Sequence, residues 1–327
     1  MQPIRSALAA LICGLALAAP AAAQDTGYPS HPIKLVVGYS PGGPTDILAR
    51  QLAPILADAL GQQVIVDNKP GANGNIGGAE VARARRDGYT LLLGDLTLAT
   101  NPSLMRTMPF DPQAGLRAVA PLAKAPLALV VNPKVPAATL QELLAYARAN
   151  PGELTNGTAG NGNLTHLAGE VLKSATGTDI RQVPYKGSGP AITDLVGGQI
   201  SMVITGISST EGFIRNGQLR ALAITGRERS PALPDVPTFS EATGLPLPEL
   251  DLGSWWRLFG PADLPDAVVE RLNAAARQIL ADPALKERLA GMNIVADPGS
   301  PDDMRQRLES ETATWRKVIQ AAGIVPQ

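Results

Sequence analysis

The segment best suited to chemistry is Gly38-Tyr39-Ser40-Pro41-Gly42-Gly43-Pro44-Thr45-Asp46, set between an apolar run and an amphipathic one. Its glycines let the backbone turn sharply and approach a ligand, and Pro44 suits the first turn of a helix. The N–H groups of such a turn have no intrahelical acceptor and point outward with the positive end of the helix dipole. That is the physics of an anion cradle. The same residues also fit an ordinary strand-to-helix turn in which Thr45 or Asp46 merely caps.

Two further stretches repeat the pattern. Thr155 to Asn163, with Thr158, Gly160, Asn161 and Gly162, follows a strand expected near Leu154 and leads into a helix from Leu164. Gly160 and Gly162 imitate a dinucleotide fingerprint, but Thr165 holds the third glycine position and no acidic ribose ligand follows at the right distance. No cofactor is expected. Pro184-Tyr185-Lys186-Gly187-Ser188-Gly189-Pro190 then precedes the helical set Ile192, Leu195 and Val196. Three such helix starts facing one another across a cleft would make a carboxylate clamp.

Catalytic patterns are weaker. His31 and His166 stand far apart without a carboxylate partner, so no metal site is expected. Ser208 lies in Gly206-Ile207-Ser208-Ser209-Thr210, which lacks the second glycine of a nucleophile elbow. His166, in the first turn after the second loop, is either a hydrogen-bonding residue of the helix start or a ligand contact. Trp255-Trp256 reads as packing or as a ligand wall. No catalytic residue emerges, and the chain is not expected to be an enzyme.

The elements that must hold these loops alternate. Ile33 to Val37, Val64 to Val66, Thr90 to Leu93, Leu127 to Val131, Ser201 to Ile204 and Leu219 to Thr225 read as strands, most of them apolar on both faces. Leu48, Leu52, Leu56 and Leu60 recur at helical spacing, as do Leu164, Leu167, Val171 and Ala175, the latter stopped by Gly177. Pro54 should bend the first of these helices. The alternation predicts an α/β protein, each lobe a sheet flanked by helices.

A length of 327 residues fits about two compact units. Crossings expected near Leu122 to Pro126 and Ile224 to Arg227 assign 24–122 and 226–327 to one lobe and 123–225 to the other, with a two-stranded hinge. A formal net charge of -1 gives no electrostatic reason to expect nucleic acid. Arg5, the apolar run Ala7 to Ala19 and Ala21-Ala22-Ala23 read as a cleaved signal peptide over 1–23. Cys13 falls inside it, and Ala10-Leu11-Ile12 lacks the small residue expected ahead of a lipidated cysteine. The mature chain then has no cysteine for disulfides, thiolate zinc or nucleophilic attack, and export to the periplasm as a soluble protein is expected.

Taken in order, YPSHPIKLVVGYSPGGPTDILAR, DNKPGANGNIGGAEVARARRDGYTLLLGD, HLAGEVLK, VPYKGSGPAITDLVGGQI, LRALAIT and SPALPDVPTFSEATG resemble the periplasmic solute receptors of tripartite tricarboxylate transporters, the Bug family. The resemblance spans the mature chain. It implies a type II, Venus-flytrap periplasmic binding protein that closes on a small organic carboxylate, mono-, di- or tricarboxylic, and passes it to membrane subunits. It implies ligand contacts from Ser40, Pro41, Gly42, Gly43, Thr45 and Asp46, partly through bridging waters, and from Thr97, Thr158, Gly160, Asn161, Gly162, His166, Tyr185 and Lys186. Thr205 stands where relatives often carry an aspartate able to pair with an amino acid's ammonium. Arg257 replaces the glycine of a Trp-aromatic-Gly pattern and is either a second carboxylate partner or a solvent-facing residue. A monomer is expected. The competing readings are a periplasmic sensor docking on a signalling receptor and an exported hydrolase using His166 or Ser208.

Overall fold

The computed structural model describes residues 27–326 except Lys186 and Leu252, so the expected signal segment and Cys13 lie outside the described residues. Strands β1 (Ile33–Val37), β2 (Val64–Asn68), β3 (Thr90–Asp95), β4 (Leu116–Ala125), β10 (Ser254–Pro261) and β11 (Val295–Ala296) form one sheet, ordered β11-β4-β10-β3-β1-β2. Strands β5 (Leu127–Val131), β6 (Thr155–Thr158), β7 (Arg181–Pro184), β8 (Met202–Gly206) and β9 (Arg220–Ile224) form the other, ordered β7-β6-β8-β5-β9. The molecule is a two-lobed α/β protein.

Helices cover both faces of each sheet, as doubly apolar strands require. On the outer sheet, α1 (Pro44–Leu60) packs Leu48, Leu52, Leu56 and Leu60 beside Leu272 and Ala276 of α9 (Asp266–Ala281). The opposite face carries α2 (Asn75–Ala82), α3 (Thr97–Leu104) and the long α11 (Pro301–Ala321). On the middle sheet, α4 (Leu140–Ala149) and α5 (Leu164–Thr176) lie on one side, and α6 (Ser188–Gly197) packs Ile192 and Leu195 on Val130 and Val203 of the other. Short helices α7 (Glu211–Arg215), α8 (Phe239–Thr243) and α10 (Pro283–Gly291) fill the connections. Helix α1 continues through Pro54 without a break.

Without the edge strand β11 the two sheets share one strand order, a likeness that left no repeat in the sequence. In each, the single antiparallel inner strand is the one entered from the other lobe: β5 comes directly from β4, and β10 enters after the excursion through the middle lobe. The first crossing is Ala125-Pro126-Leu127. Beyond Ile224 the chain stays beside β9 for a stretch: the Ile224 amide donates to Pro237 O at 2.9 Å, and Ile224 bridges Thr238. Beside the first crossing the chain is tied to the end of β9: Leu127 N donates to Thr225 Oγ1 and Thr225 N to Leu127 O, each at 2.8 Å. Gly253 (φ +59) lies where a Cβ would meet Ala125 O at 2.9 Å, so the returning chain runs directly against the first crossing.

Strands β4 and β10 are not evident in the sequence. Pro121 argues against a strand, but it sits at an irregularity where β4 shifts register against Trp256 and Arg257, a place that tolerates the missing N–H.

Candidate functional site

Strand directions decide which loops share a cleft. β1 and β3 run parallel, β10 runs antiparallel to both β3 and β4, and so β1, β3 and β4 all end at the same edge, where β4 enters the crossing. In the other lobe β8 runs antiparallel to β5, with Gly206 opposite Leu127, and β6 and β7 are parallel to β8. Hence β6, β7 and β8 also end toward the crossing. The loops after β1, β3, β6 and β7 and the end of β8 face one interlobe cleft floored by the hinge, the usual ligand position outside carboxyl ends of parallel strands.

The first loop is held open by a carboxylate. Asp46 Oδ2 accepts the Gly42 amide at 2.8 Å, while Arg50 Nε at 3.0 Å and Asn68 Nδ2 at 2.9 Å saturate the rest of the group. The Arg50 hydrogen bonds and the Gly42 amide lower its pKa to about 2. Asp46 thus positions the loop rather than touching an anion. Ser40, Pro41 and Gly42 are exposed, Gly43 is half-buried, and the first intrahelical bond is Ile47 N to Gly43 O. The amides of Thr45 and Asp46 precede that bond and are unclaimed by the helix.

The second loop repeats the device with a different side chain. Gly162 N donates to His166 Nδ1 at 3.0 Å, Ala159 N to Thr165 Oγ1 at 2.8 Å, and Asn163 caps α5 by accepting Thr165 N at 3.0 Å. Burial lowers the His166 pKa, with Glu170, 3.8 Å from Nε2, opposing. His166 is therefore a loop brace, and its ring nitrogens face Gly162 and Glu170 rather than the exposed Ser208. The strand is Thr155–Thr158 itself rather than a run near Leu154, so Thr158 ends β6 instead of lying in the loop. Its Oγ1 is buried and has no partner among the described residues. Such an orphan costs about 1–3 kcal/mol unless something binds it.

Tyr185 enters the third loop, donating its hydroxyl to Asp194 at 2.7 Å; burial, then Asp194, pushes its pKa up to about 12. Lys186 lies outside the described residues. Thr205 is buried at the end of β8, opposite Ala128 and next to the hinge. Gly160 and Asn161 lie in the second loop, half-buried and exposed.

Thr97 faces the cleft differently from expectation, because its hydroxyl donates to Asp95 Oδ1 at 2.5 Å and its amide to the same atom at 3.0 Å. Arg257 is in neither expected setting. It is 3% exposed, pairs bidentately with Glu311 at 2.6 and 2.9 Å and stacks on Trp255 at 3.8 Å, on the face of β10 that packs on α11. The tryptophans alternate across the strand: Trp255 joins that core, and Trp256 donates Nε1 to Thr45 Oγ1 at 2.9 Å on the other side. Both pack.

Contacts also cross the cleft. Asn293 Nδ2 in the outer lobe donates to Glu211 Oε2 at 2.8 Å, and Gly162 lies so near Leu104 that a Cβ there would stand 2.8 Å from it. A separate cavity of about 610 Å³ runs along the C-terminal half of α5 against α11; of the residues named above it takes in Glu170 alone. Among the described residues there is no cluster of three or more His, Cys, Asp and Glu able to hold a metal, and no helix long and apolar enough to cross a membrane. Sequence reasoning missed Tyr39, Asn68, Asp95 and Leu104. Only Asp95 carried a signal, an acid at the carboxyl end of a strand.

The family model of the tripartite tricarboxylate transporter family receptor matches residues 48–324. The chain is 37% identical over 325 residues to Protein BugT of Bordetella pertussis, covering 99% of this chain and 98% of that one. Among solved structures it is similar to Rpa4515 of R. palustris with adipate (34% identity, TM-score 0.78, 92% of this chain and 100% of that one). It is also similar to MatC of Rhodopseudomonas palustris with bound malate (31%, 0.74, 89% and 100%). The chain belongs to the tripartite tricarboxylate transporter receptor family, with its periplasmic-binding-protein fold.

Proposed function

We propose that this family member is an extracytoplasmic receptor that takes a small organic carboxylate between its lobes, closes on it, and delivers it to the membrane subunits of a tripartite tricarboxylate transporter. The observation that carries this reading is the pair of braced glycine loops, Gly42–Asp46 and Gly162–His166, at strand ends that face one crossing. The first brings the unclaimed amides of Thr45 and Asp46 at the start of a long helix, the second leaves the Leu164 amide without an acceptor among the described residues, and Thr158 adds a buried hydroxyl in need of a partner. The adipate and malate held by two relatives support the same ligand class.

No bond is made or broken in this function. Hydrogen bonds to a carboxylate contribute about 1.5–3 kcal/mol each, so three or four, after ordering costs, give affinity on the order of micromolar. That strength allows capture and release. The ligand bridges both lobes only when they are closed, and this differential contact drives closure. The proposed lobes are 27–125 with 254–326, and 127–250, joined at Pro126 and at the 251–253 segment.

Thermal unfolding and small-angle scattering with malate, adipate and a panel from propionate to citrate test the proposal. A raised midpoint and a smaller radius with at least one acid are expected. No shift and no compaction with any of them overturns it.

A further inference from the structure

Asp95 ends β3 opposite Trp256, and two residues back along β10 Ser254 pairs with Ala125 at the hinge, so this carboxylate sits beside the cleft floor. Its Oδ1 accepts three hydrogen bonds: from the Tyr39 hydroxyl at 3.0 Å, the Thr97 amide at 3.0 Å and the Thr97 hydroxyl at 2.5 Å. Capping α3 through the Thr97 amide needs only one of these. A hydroxyl has a single proton, so with Tyr39 and Thr97 both turned toward Asp95, each has only lone pairs left to offer a ligand. Beside them Thr45 Oγ1 accepts Trp256 Nε1 at 2.9 Å. All three bonds to Oδ1 leave acceptor capacity on Oδ2, and the residue is only half-buried. The outer wall at this point is a row of acceptors without a matching donor.

We propose that Asp95 is a specificity-determining residue of the cleft, selecting carboxylates that also carry a hydrogen-bond donor, a hydroxyl or an ammonium, over their unsubstituted counterparts. This rests on the carboxylate-receptor reading and names the ligand's second group. The first group meets the amides of the braced loops; the second meets Asp95. A site built to receive a donor rejects a ligand lacking it, because its acceptors are then buried unpaired.

Titration calorimetry with succinate, L-malate and L-aspartate, which share a skeleton and differ at one position, tests it. Malate or aspartate should bind at least about tenfold more tightly than succinate, and which of them wins tells hydroxyl from ammonium. In Asp95→Asn, Oδ1 must stay on the three donors, so the amide nitrogen turns to the cleft as a donor and the preference should vanish or reverse. Equal affinities in the unmodified protein, for this trio and for propionate, lactate and alanine, overturn the inference whether or not the variant folds. Survival of the preference in Asp95→Asn also overturns it. If none of these acids binds while adipate or citrate does, this inference fails and the carboxylate-receptor reading stands; if no acid of the wider panel binds, both fail.

Discussion

His166 Nδ1 accepts the backbone amide of Gly162, four residues earlier, at 3.0 Å. Across the cleft Asp46 does the same for Gly42 at 2.8 Å. In each lobe a first-turn side chain reaches back over a glycine turn and fixes its shape, one with a neutral ring and the other with a carboxylate.

Accepting at Nδ1 requires that nitrogen to be bare, so protonation of His166 replaces a hydrogen bond with a clash of two N–H groups. Burial and Lys173 lower its pKa below 6.5 and Glu170 opposes them, so the folded protein binds fewer protons here than the unfolded chain. The stabilisation is complete above pH 6.5 and is lost as pH falls through the lowered value. The affinity for whichever carboxylate binds, measured against pH, should be flat above neutrality and decline in acid. His166→Gln, which keeps an acceptor, should flatten the decline, and His166→Ala should weaken binding at every pH.

Asp46, with a pKa of about 2 against an ordinary 3.8, contributes stability that is complete above pH 3.8 and lost as pH falls toward 2. Asp46→Asn should cost about 1–3 kcal/mol in urea unfolding at neutral pH and make the acid limb of the stability curve shallower.

Gly162 is left-handed (φ +72), and a Cβ there would stand 2.8 and 3.0 Å from the two terminal methyls of Leu104 in the other lobe. Gly162→Ala should therefore hold the lobes apart as well as strain the loop by about 1–2 kcal/mol. The expected outcome is weaker binding and a larger scattering radius with ligand. Adding Leu104→Ala should restore the closure but not the lost stability.

Arg257 and Glu311 are 3% and 4% exposed and paired at 2.6 Å. Arg257→Leu should cost about 3–5 kcal/mol by leaving a buried carboxylate alone, and the double change with Glu311→Leu should recover much of it. Binding of mono- and dicarboxylates should fall alike or not at all. Selective loss of dicarboxylates would return Arg257 to the site.

The loops were legible because glycine, proline and an apolar run on either side mark a strand-turn-helix unit locally. What was not legible is pairing at a distance. Nothing near Asp46 announces Asn68, and nothing near Arg257 announces Glu311, which arrives on α11. Strand β4 hid behind Pro121, whose missing donor is harmless only because β10 shifts register there. The isolated bridge from Ile224 to Thr238 was equally hidden, since it forms only once the middle sheet exists. His166 was read as either brace or contact, and its ring accepts the Gly162 amide.

The two lobes each have an apolar core of their own, one holding Leu52 and Leu272 and the other Ile192 and Val203, but the largest core belongs to both. It runs from Val36 and Leu92 through Trp315 of α11 to Leu129 and Leu167. The two halves thus share one interior through α11, and neither is complete when cut away. Heating should melt them together in one calorimetric peak, and either half expressed alone should be a poor folder.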